Sequence, residues 1–130
     1  MAGELVPLVM LPRYTVLAGE QDFTTIAMDV TEYQNAILNV WRGFVHPVAA
    51  GPVDGGTFEI RFEESTDQVA WSECTVTATA GPPWDPTANN EAQFTAALRK
   101  RWFRIRVTLG SNDDAYVSTW AVGFLEQRER

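Results

Sequence analysis

One cysteine and one histidine are all that the 130 residues offer of the two side chains that most often ligate metals or pair as nucleophile and base. A lone Cys74 excludes an internal disulfide and a thiolate metal cluster. Set among strand residues, it reads as a small buried hydrophobe. The lone His46 precedes Pro47 and reads as a solvated turn residue. There is no G-x-S-x-G elbow, no glycine-rich phosphate loop and no EF-hand spacing of oxygen ligands. Neither an enzyme, nor a cofactor, nor a bound metal is expected. Positive charge is also scarce. Ten Lys and Arg face 17 Asp and Glu, for a net charge of -7. Such a chain repels phosphate backbones, so nucleic acid is not an expected partner. No apolar run reaches the length of a membrane span. The leading LVPLVMLP has no basic region before it and is interrupted by Pro7 and Pro12, unlike a secretory signal. No membrane partner is expected, and assembly in the cytoplasm is.

What is present is a period of two. In Trp102–Leu109, Phe103, Ile105, Val107 and Leu109 share one face, while Trp102, Arg104, Arg106 and Thr108 share the other. Thr57–Glu63 places Phe58, Ile60 and Phe62 inward; Glu73–Thr79 does the same with Cys74, Val76 and Ala78. Ile26, Met28 and Val30 alternate, and Trp120, Val122 and Phe124 share a face. Ala36–Val45 is more continuously apolar, as a central strand covered on both sides would be. Asn89–Lys100 carries helix-friendly residues, but its all-β flanks favour a strand and turn. Asp54-Gly55-Gly56, Ser65–Gln68, Gly81–Pro86 and Gly110–Asp114 are turn signals. The pattern predicts an all-β fold: an antiparallel two-sheet sandwich or jelly roll of seven to eight strands with an extended N-terminal arm. Residues 1–13 are expected as the arm and 14–130 as one sandwich domain.

The arginines of RKRWFRIRVTLG are expected to pair across strands with carboxylates such as Glu59 and Glu63 rather than to bind nucleic acid. Their other use is against an acidic surface of a partner. Trp41, Trp71 and Trp120 are expected in the core. Trp84, held between prolines in GPPWDP, is expected either to face outward as a contact residue or to lid one end of the sandwich. Glu63, Glu64, Asp67, Asp113 and Asp114 are expected to be solvated. In Glu64-Ser65-x-Asp67-x-x-x-Trp71, Ser65 and Asp67 are placed to bond turn amides, with Trp71 packing as the next strand begins.

The order of FTTIAMDVTEYQNAILNVWRGFV, GGTFEIRFEESTDQVAWSEC, KRWFRIRVTLG and VSTWAVGFL resembles a group of small β-sandwich proteins of tailed bacteriophages. The matching positions are Asp29, Tyr33 and Ala36; Glu64, Ser65, Asp67 and Trp71; and Lys100, Arg101, Trp102, Arg104 and Ile105, with Trp102 standing where tyrosine is usual. The resemblance spans Phe23 to Leu125 and leaves out the leading segment. It implies a non-enzymatic virion structural protein, foremost a head decoration (cement) protein on the capsid surface. Its partner would be the major capsid protein, and it would act as a homo-oligomer, a dimer or a trimer. A head–tail connector or tail role is the nearer alternative; a carbohydrate-binding module, with Trp84 and Trp102 as a platform, is the other. The expected contact residues are Leu5, Val6, Leu8, Val9, Met10 and Leu11, with Tyr14 at the arm's base, and Trp84.

Overall fold

The computed structural model describes residues 4–18, 21–43, 46–47, 57–78, 90–110 and 115–128. These form eleven strands and no helix. They are β1 (Leu5–Ala18), β2 (Gln21–Thr24), β3 (Met28–Asp29), β4 (Tyr33–Arg42), β5 (His46–Pro47), β6 (Thr57–Ser65), β7 (Ser72–Glu73), β8 (Val76–Ala78), β9 (Asn90–Ala97), β10 (Trp102–Gly110) and β11 (Ala115–Gln127). The first sheet runs β1-β11-β4-β9-β8, with β5 also on β11. The second runs β2-β10-β6-β7, with β3 also on β10. Each of these pairings is antiparallel. The two-sheet sandwich is as expected. The excess over seven or eight strands comes from pieces of two to four residues, where one line of chain is broken and resumed.

Alternation makes the core. Phe103, Ile105, Val107 and Leu109 of β10 are all buried, as are Ala36, Leu38 and Val40 of β4. Burying a side chain of this size is worth about 1.5–3 kcal/mol relative to leaving it in water. Phe62 of the second sheet joins the layers, with its ring centroid 5.2 Å from Phe94 of the first and 6.4 Å from Phe103. Asn90–Ala97 is a strand, with Ala92, Phe94 and Ala96 inward.

The breaks have local causes. Between β2 and β3 the Thr25 hydroxyl, not a backbone carbonyl, accepts the Ile105 N–H at 2.9 Å, while the Thr25 N–H donates to the Ile105 carbonyl. The chain bulges there, and Ile26 is 89 % exposed rather than inward. At Cys74 the chain changes sheets. Its N–H still donates to Phe62 of the second sheet, while the carbonyl of Thr75 already accepts from Ala97 of the first. Cys74 is buried as expected, but Val76, beyond the crossing, is on the sheet edge and exposed. His46, expected in a loop, lies in β5 opposite Tyr116.

The leading segment is extended, but its described part is the edge strand β1 of the first sheet. It alternates after all: Leu8 and Met10 are buried in this chain's own core, while Leu5, Pro7 and Val9 face solvent. The prolines hid this pattern. Pro has no N–H to give, but an edge strand has an unpaired side that needs none. Removing residues 1–12 would therefore strip paired strand from β11 and uncover the core, which is not what a dispensable arm would do.

Gly123 is a point of close approach in the first sheet. It sits in β11 opposite Leu8 on one side and Leu38 on the other. A Cβ there would collide with the backbone carbonyl of Ile37. Gly123→Ala is expected to destabilise the fold by about 3 kcal/mol, the upper end for overpacking. Chemical denaturation checks it; an unchanged midpoint would mean the strands can part at no cost.

Candidate functional site: an apolar outer sheet face

Pleating sends alternate residues of a strand to opposite faces. In the first sheet the inward set is apolar apart from Arg42 and Thr119, and so is much of the outward set. Trp41 of β4 pairs with Trp120 of β11, Ile37 with Phe124, and Val122 lies between Asn39 and Val9. Pro7 adjoins Phe124. Val9 is 60 % exposed, Val16 62 %, Leu5 53 % and Phe124 43 %. Four of the seven exposed large hydrophobics among the described residues thus lie on this one face. A patch of this kind is unlike scattered surface leucines and belongs to the class of surface where contact sites are found.

Trp41 and Trp120, expected in the core, are instead half-buried on this face. Their rings are stacked, 6.3 Å apart and tilted by 16°. The Arg13 guanidinium lies 5.1 Å from the Trp120 ring centroid, over its negative face. Two trends mark the rim. On β9 the outward residues turn polar, with Gln93 opposite Asn39 and Glu91 opposite Trp41. At the other end, the Glu126 carboxylate accepts from Gln34 (3.0 Å) and Asn35 (2.7 Å).

Of the expected contact residues, Leu5 and Val9 are on this exposed face, Leu8 and Met10 are in the core, and Val6 and Leu11 are half-buried against it. Tyr14 lies in β1, with its side chain outside the description. Trp84 and the GPPWDP segment lie outside the described residues, as do Asp113 and Asp114. The face's main contributors, Val122, Phe124, Trp120, Trp41 and Ile37, were missed as contact residues. The signal was there: Trp120, Val122 and Phe124 do share a face, but it is the one pointing away from the partner sheet.

The outer face of the second sheet is the opposite in character. Arg104 meets Glu63 at 2.9 Å and lies 4.0 Å from the Trp71 ring centroid. Arg106 meets Glu63 at 3.4 Å and Asp22 at 3.5 Å. Pairing with Glu63 is as expected; Glu59 instead pairs with Arg61 on its own strand. Trp102 is half-buried, with Arg101 5.1 Å from its ring centroid. The arginines and carboxylates of this ladder pair within the chain, although the buried Arg106 Nε lacks a hydrogen-bond partner.

Glu63 and Glu64, expected in solvent, are only 7 % and 5 % exposed. Glu63 is covered by the two arginines it pairs with. Glu64 faces inward and accepts the N–H groups of Arg99 and Lys100 at 2.9 and 3.2 Å, closing the β9–β10 turn. Asp67 behaves as expected. It accepts from the Val69 and Ala70 N–H groups and from Ser65, while the Ser65 hydroxyl accepts from Asp67 and Gln68. Gln68 takes a left-handed φ of 63° to complete the turn. Arg42, an inward charge at the end of β4, also escaped notice; its Nη1 donates to the Gly43 carbonyl at 3.1 Å and its guanidinium stacks 5.6 Å from Phe58.

Two features bear on chemistry. A cleft of about 480 Å3 opens between β1 and the broken β2–β3 edge, against Met10, Leu17, Phe23 and Met28, and no ionisable side chain lines it. Burial first, then the charge of Glu64, pushes the Cys74 thiol up to about 12, so it stays protonated near neutrality. Among the described residues, no three His, Cys, Asp or Glu gather as metal ligands. No family model, no curated protein and no solved structure matches the chain.

The turn carboxylates predict an acid response. Backbone N–H donors hold Asp67 below the ordinary 3.8, and Thr31, with help from Arg101, does so for Asp29. A carboxyl lowered by folding stabilises above its unfolded value, and that contribution is lost as pH falls through the folded value. Asp67→Ala should therefore lower the melting temperature at pH 7, and the deficit should shrink as pH drops below 3.8. A deficit independent of pH would assign the loss to packing instead.

Proposed function

We propose that this chain is a non-enzymatic structural protein of a virion, a capsid decoration protein that binds the major capsid protein lattice and stabilises the head. The observation that supports this reading best is the apolar outer face of the first sheet. Cementing a shell needs broad surface that gains free energy by leaving water, with aromatic anchors and a polar rim. The Trp41–Trp120 pair and the neighbouring Val9, Val122 and Phe124 have that composition, and Gln93 and Asn39 begin the rim. The chemistry elsewhere is consistent with an inert scaffold: charges pair with each other on the second sheet, and the cleft is oily. The resemblance in motif order supplies the virion context.

A second reading draws on one observation. Two near-parallel indoles on an exposed sheet face are also what a carbohydrate-binding module uses as a stacking platform. Trp120→Ala would then abolish retention in affinity electrophoresis through polysaccharide gels, an effect that shell binding does not require.

The decisive count is stoichiometry. Purified virions should carry this chain in numbers comparable to the major capsid protein. A dozen copies or fewer per particle would reassign it to a connector or tail. Phe124→Glu, at an exposed position, should leave the fold intact and cut binding to emptied shells by roughly 10-fold or more, the cost of desolvating a charge at an apolar contact. Undiminished binding would take this face out of the contact.

A further inference from the structure

The strand line beside β10 carries one residue too many. From Val107 to Phe103, β10 advances four residues, while its neighbour advances five, from Phe23 to Met28. The surplus lies in Thr25–Ala27, where Thr25 stands opposite Ile105 and Ile26 turns out to solvent. The apolar side chain that alternation would have laid over Ile105 is thus missing from this flank. The cleft of about 480 Å3 opens at that point, between the bulge and β1. Ile105 and Val107 of the core close its floor, and Leu11, Leu17, Phe23 and Met28 are left half-buried around it.

Size and charge define what fits. Small-ligand sites run from about 300 to about 1,000 Å3, and this cleft falls within that range. Along the strands, the stretch from Phe23 to Met28 gives it a length of roughly 15 Å, at about 3.4 Å per residue and allowing for the bulge. An extended alkyl chain advances about 1.3 Å per carbon, so about ten carbons span roughly 13 Å. Met10 and Met28 in the lining are flexible and polarisable, and adapt to such a chain. No ionisable side chain lines the cleft, Asp22 beside Phe23 is negative, and the chain carries -7 overall. An anionic head group has no counter-charge here. One polar anchor does exist. The Thr25 hydroxyl accepts from the Ile105 N–H and keeps its own proton to donate, with no acceptor for it among the described residues.

We propose that this cleft binds a neutral, single-chain amphiphile of about ten carbons, its alkyl tail over Ile105 and Val107 and its head-group oxygen accepting from Thr25. The tail takes the place that Ile26 vacates. The site opens at the flank of the sandwich and is independent of shell contact. Trp120 and Phe124 of the outer face take no part in it.

Titration of the isotopically labelled full-length chain with 1-decanol, followed by amide NMR shifts, tests this. A saturable response should centre on Thr25, Ile26 and Met28, with a Kd on the order of 10–100 μM, ordinary for about eleven heavy atoms in an apolar site. Decanoate, with the same tail length and an anionic head, should bind roughly 10-fold more weakly or worse. Thr25→Ser keeps the hydroxyl and should bind 1-decanol as wild type does; Thr25→Val removes it and should bind several-fold more weakly. Leu17→Trp fills the cleft and should weaken binding roughly 10-fold or more. If that chain proves unfolded by circular dichroism, Met28→Trp gives the same readout, and the wild-type titration stands without either. Absence of any shift at about 100 μM 1-decanol overturns the proposal. So do shifts centred on Trp120 and Phe124, decanoate binding as tight as 1-decanol, or a Thr25→Val chain that binds undiminished. A chain that loads onto shells but ignores 1-decanol sinks the cleft ligand and leaves the virion reading standing. A chain that binds 1-decanol but never loads onto shells does the reverse.

Discussion

A pleated strand cannot hide both of its faces against a single partner layer, and that constraint shapes this molecule. In the second sheet the sequence accepts it. Inward residues of β10 and β6 are apolar apart from Glu64, while outward arginines and Glu63 neutralise each other across the strands. In the first sheet the sequence does not. Val9, Trp120, Val122, Phe124, Trp41 and Ile37 are apolar at outward positions, and no layer of the chain's described residues covers them. Among the described residues, one side of the sandwich is charge-paired and the other is apolar. Surface of that kind raises the free energy of the lone chain by about 25 cal/mol per Å2 relative to its burial, so covering it is favourable.

The core face of each long strand was legible because period two is a local property. Phe103-Ile105-Val107-Leu109 needs no tertiary knowledge to be read as one face, and all four are buried. Which face of β4 and β11 turns inward is not local. Trp120-Val122-Phe124 and Val117-Thr119-Ala121 are both apolar enough to serve, and size argued for the tryptophan side. The structure buries the smaller set, for a steric reason. Gly123 lets β11 close against Ile37, and small inward residues such as Ala121, Ala36, Ala92 and Ala96 leave room for Phe62, Phe94 and Phe103. The bulk of the core is supplied by phenylalanines, so the tryptophans are displaced to the outer surface.

The misplaced carboxylates teach the same lesson in charge. Glu63 and Glu64 are consecutive and so lie on opposite faces, and each looks like a surface residue by type. Glu63 is covered because Arg104 and Arg106 are two apart on the facing strand and both reach it. Glu64 is covered because the turn after β9 presents two N–H groups that need an acceptor. Both partners lie more than thirty residues away, beyond the reach of a pattern read along the chain. The Ser65–Asp67 turn was legible because its donors and acceptors are all within three residues.

Adhesion and catalysis ask opposite things of a surface. A catalytic site gathers ionisable groups into a concavity and leaves some of their interactions unmade until the transition state. Here the described ionisable groups of the second sheet are partnered side by side, and the cleft at the β1 flank is lined without charge. An adhesive surface instead spreads apolar area broadly and keeps charge off it, since a buried unpaired charge costs more than the surrounding area returns. The outer face of the first sheet is broadly apolar, with the Arg13 guanidinium over Trp120 and Glu91 opposite Trp41 as charges beside that area. Its prolines on β1 complete the logic. An edge strand that carries Pro7 and Pro12, with register shifts on either side of Leu11, is a poor template for edge-to-edge growth.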